Sequence, residues 1–312
     1  MCRLFGFRSV IQSQVHRSLV GADNALAVQS RTHCDGWGVA WYHADVPHVV
    51  KSGSAAIEDA IFRRVSGVVA SQTVIAHIRK ATTGDIHALN AHPFQFGTWI
   101  FAHNGQIHDF ERHKAALVAG VAPNLRRFVL GDTDSEVLFY LILTALGQRT
   151  DLHRRGTPIE DIVGAIDQVW RSVRKRCDAA GAVAGGEGAS LLSGILTDGQ
   201  TLVAACSGKE LRFSTFKTGC LDRDSCPHLA DECEAPTQTG FVNHLLVSSE
   251  PLQGDNVWHE MTFDEVVGVD WRMRLHRGRL ASSGGADGHI EPVAGDHGGE
   301  SNCAPPFGDL PA

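Results

Sequence analysis

Short apolar segments alternate with polar, turn-forming stretches from the first residues to about residue 280. Apolar runs of this length, bounded by Gly, Asn, Asp and Pro, are the pattern of strands. They predict strands in CRLFGF, GWGVAWY, TVIAHI, TWIFAH, LLSGILT, TLVAACS, HLLVSS and WRMRLH. Asp198-Gly199 separates two of these runs and predicts a hairpin. Two segments carry a helical period instead. In the stretch beginning at Pro158, apolar Ile159, Ile162, Val163, Ile166, Val169, Trp170 and Val173 recur at three-and-four spacing. Pro158 suits the first turn, and the basic run near Arg176 suits the last. The second helix is predicted in DSEVLFYLILTALGQ, with Asp134 as a cap for its exposed N–H groups. Many antiparallel-looking strands with a few long helices imply a layered α+β domain.

The pattern stops near residue 281. The stretch 282–312 is rich in Gly, Pro, Ser and Asp and nearly lacks large hydrophobes. Such a segment buries too little apolar area to offset chain entropy, so it is expected to be a disordered tail behind one domain over 2–281.

Composition narrows the function classes. The 312 residues carry a formal charge of -7, with no clustering of the basic residues, so no nucleic-acid partner is expected. No apolar run is long enough to span a membrane, and the start of the chain lacks the features of a signal peptide. A cytoplasmic protein with no membrane partner is the expectation. The eight cysteines then read as free thiols and not as a disulfide frame.

Candidate chemistry begins at Cys2. If Met1 is removed, thiol and α-amine share one residue, and the amine can take the thiol proton directly or through a water. Arg3 adds positive potential that favours thiolate. A buried cysteine at this position by chance is the ordinary alternative. In HCDGWGVAWY, Gly36 and Gly38 flank Trp37 and permit positive φ or close backbone approach, which suits either a substrate loop or a β-bulge. Arg79 closes the run TVIAHI and is followed by Thr82 and Thr83. A guanidinium there can clamp a carboxylate with two parallel hydrogen bonds, or sit in an ordinary surface salt bridge. His92, before Pro93, reads equally as a core histidine at a turn. Asn104-Gly105 would normally form a hairpin turn, yet it also presents an amide and a bare backbone N–H side by side, the two donors an oxyanion needs. Asp134 can cap a helix or accept an ammonium.

Each feature alone has an ordinary structural explanation. Together, Cys2, Arg79, Asn104, Gly105 and Asp134 supply nucleophile, carboxylate clamp, oxyanion donors and ammonium acceptor. That set suits attack on a γ-glutamyl amide.

MC at the start, HCDGWG, AHIRKATTG, NAHPF, AHNG and DTDSE occur in one order in which the chain resembles the class II glutamine amidotransferases, of N-terminal nucleophile type. VSSEPLQGDNVW is similar to the closing region of small stand-alone members, including the ergothioneine-pathway γ-glutamyl hydrolases. The resemblance covers residues 2 to about 280. It implies a four-layer αββα sandwich of two antiparallel sheets, the N-terminal nucleophile hydrolase fold. It implies Cys2 as nucleophile, Asn104 and the Gly105 N–H as oxyanion donors, and Arg79 as binder of the substrate carboxylate. Thr82, Thr83 and His92 would line the pocket, and Asp134 would take the ammonium. Cys34 stands where relatives usually carry a basic residue, and is read as packing only.

About 280 residues leave no room for a synthase domain in this chain. A γ-glutamyl amide hydrolase acting on a small-molecule substrate is therefore favoured. The alternatives are a glutaminase subunit that delivers ammonia to a separate synthase, and a non-catalytic amino-acid-binding module. No cofactor is expected. Cys220, Cys226, His228 and Cys233 fall close together, but without a paired Cys-x-x-Cys, so no metal is expected there.

Overall fold

The computed structural model describes residues 2–220, 223–224, 226–281 and 288–293. Its first strands are β1 (Arg3–Gln14), β2 (Trp37–His43), β3 (Val46–Ser52) and β4 (Ala70–Ile78). Then come β5 (Phe94–Phe96), β6 (Trp99–Gln106), β7 (Leu191–Thr197), β8 (Leu202–Cys206) and β9 (Arg212–Ser214). The last are β10 (His244–Ser248), β11 (His259–Glu260), β12 (Glu265–Val269), β13 (Leu275–Arg279) and β14 (His289–Pro292). The helices are α1 (Leu26–Gln29), α2 (Ala60–Val68), α3 (Phe110–Gly120), α4 (Pro123–Arg126), α5 (Asp134–Leu146) and α6 (Ile159–Cys177).

Two seven-stranded sheets result, in the orders β11-β9-β10-β1-β4-β2-β3 and β14-β13-β12-β8-β7-β6-β5. Every strand pairing in both is antiparallel. Three buried clusters define four layers. Leu4, Ala40, Ile75, Ile100, Ala102 and Ile195 fill the space between the sheets. Phe101, Leu196, Phe139, Ile162 and Trp170 pack the second sheet against α5 and α6. Phe5, Trp37, Val74, Leu26 and Phe62 pack the first sheet against α1 and α2. The protein is thus an α+β four-layer αββα sandwich of two antiparallel sheets. Each central strand has two covered faces. This is why β1, β4, β6, β7 and β8 read as near-continuous apolar runs. Among the described residues no helix is long and apolar enough to cross a membrane.

One local expectation holds and several change. The hairpin at Asp198-Gly199 forms, with Gly199 at φ 96° between β7 and β8. Asn104-Gly105 makes no turn: both residues lie inside β6, opposite Ser193 and Leu192 of β7. Thr133 is the N-cap of α5, its hydroxyl accepting from Glu136 N, and Asp134 is the first helical residue. WRMRLH becomes strand only from Leu275. The expected tail over 282–312 is corrected at residues 288–293. These form β14 on β13, with Ile290 buried in the helix-side core and Gly288 N donating to Asp167. One large hydrophobe and a free edge suffice to hold so short a strand. The rest of that stretch lies outside the described residues.

A buried ion pair ties α6 to the 262–264 turn. Arg174 Nη1 and Nη2 donate to Asp264 Oδ2 and Oδ1 at 2.9 and 2.6 Å, and Ser207 Oγ donates to Asp264 Oδ1 at 2.6 Å. Removing one partner strands the other charge. Arg174→Met is therefore expected to destabilise the protein by about 3–5 kcal/mol in urea unfolding. A loss under about 1 kcal/mol would show that Asp264 is satisfied without it.

Candidate active site

Antiparallel register brings three strand ends level. Ile78 of β4 pairs with Arg3 of β1 on one side and with Trp37 of β2 on the other. The residues just beyond, Cys2 and Gly36, therefore flank Arg79. Arg79 N donates to Gly36 O at 2.8 Å. Lys80 N donates to Cys2 Sγ at 3.4 Å, and the thiol lies 3.5 Å from Lys80 O. Asp35 holds the same segment from the β2 side, accepting from Ala81 N at 2.8 Å.

The second sheet supplies the opposite wall. Along β6, Trp99 and Phe101 face the helices, while Ile100 and Ala102 face the first sheet. Strand alternation puts Asn104 on the inter-sheet face. His103 lies on the helix face, with Nδ1 2.8 Å from Ser135 Oγ and Nε2 3.0 Å from Leu191 O. Only the imidazole can donate to the Leu191 carbonyl, so Nε2 carries a proton. Gly105 admits no side chain. A Cβ there would lie 1.8 Å from Leu191 O and 2.8 Å from His103 Nε2.

The N-terminus of α5 closes the arrangement. Asp134 Oδ2 accepts from Ile107 N at 2.8 Å, and Oδ1 accepts from Ser135 N at 2.8 Å. The positive end of the helix favours a carboxylate at this place.

Cys2, Arg79, Thr82, Thr83, His92, Gly105 and Asp134 line one narrow cleft, together with Lys80, His103, Thr133 and Ser135. Asn104 is buried beside Gly105 and is not among the lining residues. The last four lining residues were not picked out by sequence reasoning. His103 and Ser135 stand inside AHNG and DTDSE, so the motifs were the available signal. The cleft measures about 20 Å3, room for about one water. A cavity of about 610 Å3 lies elsewhere, at the 223–239 insert, and among the described residues neither a thiol nor an imidazole lines it.

Charge in the cleft is shaped by burial. Burial pushes the Cys2 thiol up, while the Lys80 hydrogen bond and the positive charges of the chain's amino terminus and Arg79 oppose that shift. Asp134 adds to the rise. Arg3 does not serve as the neighbouring charge expected from sequence, because it pairs with Glu250. Burial also lowers the Arg79 guanidinium, against the opposing pull of Cys2, Asp35 and Asp134. Arg79 forms no surface salt bridge: it is buried, and its guanidinium donates to the carbonyls of Asp85, Thr83 and Gly84. His77 and His92 pack with tilted rings, their centroids 4.2 Å apart, and burial holds His77 down at about 3 and His92 well below its ordinary value. Both are neutral at physiological pH. A raised thiol has little thiolate below its pKa. Alkylation of Cys2 by iodoacetamide is therefore expected to rise about tenfold per pH unit and to keep rising at pH 9. A plateau below pH 8 would contradict this.

The two glycines of HCDGWG resolve differently. Gly36 adopts φ +135°, and Gly38 lets His92 O approach to 2.1 Å of where a Cβ would be. Trp37 makes no substrate loop: it is fully buried, donates to Asp59 and packs edge-on to Phe62. Cys34 does not pack as expected. It is exposed, with its thiol 3.7 Å from Asp35 Oδ1. In the insert, Cys233 Sγ accepts from Asn243 Nδ2 at 2.9 Å, and the described cysteines are free thiols. Among the described residues no three His, Cys, Asp or Glu side chains converge as a metal set.

Residues 1–271 match the family model of the class-II glutamine amidotransferases. The chain belongs to this family. The chain is 26% identical to the protein YafJ of Escherichia coli (strain K12) over 284 residues, which cover 88% of this chain and 97% of that one. Over 132 residues it is 30% identical to the gamma-glutamyl-hercynylcysteine sulfoxide hydrolase of Mycobacterium tuberculosis (strain CDC 1551 / Oshkosh), covering 39% of this chain and 54% of the relative. Its fold matches that of a glutamine aminotransferase class-II domain protein from Silicibacter pomeroyi with a TM-score of 0.59, at 21% identity, over 90% of this chain and all of the other.

Proposed function

We propose that the amidotransferase hydrolyses the γ-glutamyl amide bond of glutamine or of a γ-glutamyl conjugate through a thioester on Cys2. The observation that carries this reading is the placement of the Cys2 thiol in one cleft with buried Arg79 and Asp134, opposite charges on two walls. A γ-glutamyl group ends in an α-carboxylate and an α-ammonium, and Arg79 and Asp134 match them. Thr82, Thr83 and His92 bound the same space.

Removal of Met1 would leave the α-amine of Cys2 as the base. It takes the thiol proton, and sulfur attacks the γ-carbonyl. The Asn104 amide and the Gly105 N–H hold the oxyanion. The amine leaves with the proton, and water then opens the thioester to glutamate, regenerating the thiol. The raised thiol makes such a base necessary, because little thiolate forms unaided. The Mycobacterium relative, named as a hydrolase of a γ-glutamyl compound, supports hydrolysis over ammonia transfer.

The test is to incubate the protein with glutamine and a panel of γ-glutamyl amines and measure glutamate. Release from at least one is expected. Release from none, by protein whose mature chain starts at Cys2, would overturn the proposal. Turnover of glutamine alone would favour the subunit that passes ammonia to a synthase.

A further inference from the structure

Asn90 lies outside the cleft, yet it joins the cleft's two charged walls. It ends the short 3-10 turn Ala88–Asn90 and is 3% exposed. Its Nδ2 donates to Asp85 O at 3.1 Å, the carbonyl that also accepts from Arg79 Nη1 at 2.9 Å. Its Oδ1 accepts from Asp132 N at 2.9 Å, two residues before Asp134. One amide thus bonds the loop that holds the guanidinium and the loop that leads into the carboxylate.

The surroundings fix that amide in place. A Cβ on Gly131 would lie 2.4 Å from Asn90 Oδ1, and a Cβ on Gly84 would lie 2.9 Å from Asn90 Nδ2. Glu136 grips the same loop from α5, accepting from Gly131 N at 2.6 Å and Leu130 N at 3.1 Å. Asn uses both donor and acceptor here. Asp keeps only the acceptor and sets a negative oxygen against Asp85 O.

We infer that Asn90 is a positioning residue that sets the separation of Arg79 and Asp134, and so makes the cleft selective for guests bearing both an α-carboxylate and an α-ammonium. The inference rests on the γ-glutamyl reading of the cleft. A bidentate guanidinium and a carboxylate recognise a zwitterion only at a fixed spacing, and about 1 Å of drift is costly. Asn90 touches neither the sulfur nor the oxyanion donors.

Two alkylating reagents separate this role from general damage. 6-Diazo-5-oxo-norleucine carries the α-amino-acid head and must seat it before reacting with Cys2. Iodoacetamide has no such head. In Asn90→Ala and Asn90→Asp, the KI for diazo-oxo-norleucine is expected to rise at least about tenfold, with kinact held. Cys2 labelling by iodoacetamide should stay within about twofold of wild type. An unchanged KI in Asn90→Asp overturns the inference. So does equal slowing with both reagents, which would mark Asn90 as merely structural. If diazo-oxo-norleucine fails to label Cys2 in the wild-type protein, the γ-glutamyl reading itself falls, and the inference falls with it.

Discussion

Cys2→Ala is expected to lower kcat for γ-glutamyl hydrolysis by about 10^4-fold or more, leaving only binding and oxyanion stabilisation. The fold should survive. Cys2 is half-buried, precedes β1 and lies outside the three hydrophobic clusters, so its loss removes little packing. Unfolding by urea should therefore shift by less than about 1 kcal/mol. Cys2→Ser is a sharper version. It keeps the amine and nearly the same volume, but a hydroxyl is a far weaker nucleophile at neutral pH. Retention of more than a few per cent of wild-type turnover in either variant would remove the thiol from the chemistry, and steady-state glutamate release reads this directly.

Asn104→Ala carries the second large effect. Its side chain lies on the inter-sheet face of β6, beside the glycine that touches the cleft. Loss of one oxyanion donor costs about 10^2–10^3 in kcat. The donor acts on charge that develops after binding, so KM should change little. This split distinguishes Asn104 from Arg79. Replacing the guanidinium removes ground-state recognition of the carboxylate and should raise KM. An Asn104→Ala variant with full kcat and a raised KM would place its amide on the substrate head and not on the carbonyl.

Most central strands were legible because both faces of β1, β4, β6, β7, β8 and β10 are covered, so their apolar runs stand out. The edge strands β3, β5 and β11 were not, nor was the short inner strand β9: β3 contains Pro47 and is mostly half-exposed, and the other three have two or three residues each. β12 was also missed, although it is fully buried between β8 and β13, because five residues interrupted by Gly268 make too short an apolar run. Helix α3 buries only Phe110 and Leu117, too few for its period to show. Helices α5 and α6 bury most or about half of their residues, and their patterns were clear.

The site divides along similar lines. Cys2, Arg79 and Asp134 could be singled out because each lies at an end of a readable element and has a chemistry of its own. The Asn104-Gly105 pair was singled out for the donors it could offer, but its local signal pointed to a turn. Pairing with β7 overrides that preference. Asn90 and Ser135 stand inside the motifs NAHPF and DTDSE, but no chemistry of their own marked them out. Their meaning lies in contacts across the chain: Asn90 with Asp132 and Ser135 with His103. Cys34 failed for the opposite reason. Between His33 and Asp35 nothing in the sequence shows that its side chain points to solvent.

The proposed chemistry needs a sulfur and a free amine to meet at the first residue of the processed chain. Acid-quenched intact mass spectrometry during turnover of a γ-glutamyl amide measures this. The predicted species begins at Cys2 and carries one glutamyl group, with peptide mapping placing the group on the Cys2 sulfur. Active protein that retains Met1, or turnover with no glutamyl group on Cys2 under rapid quench, would contradict it.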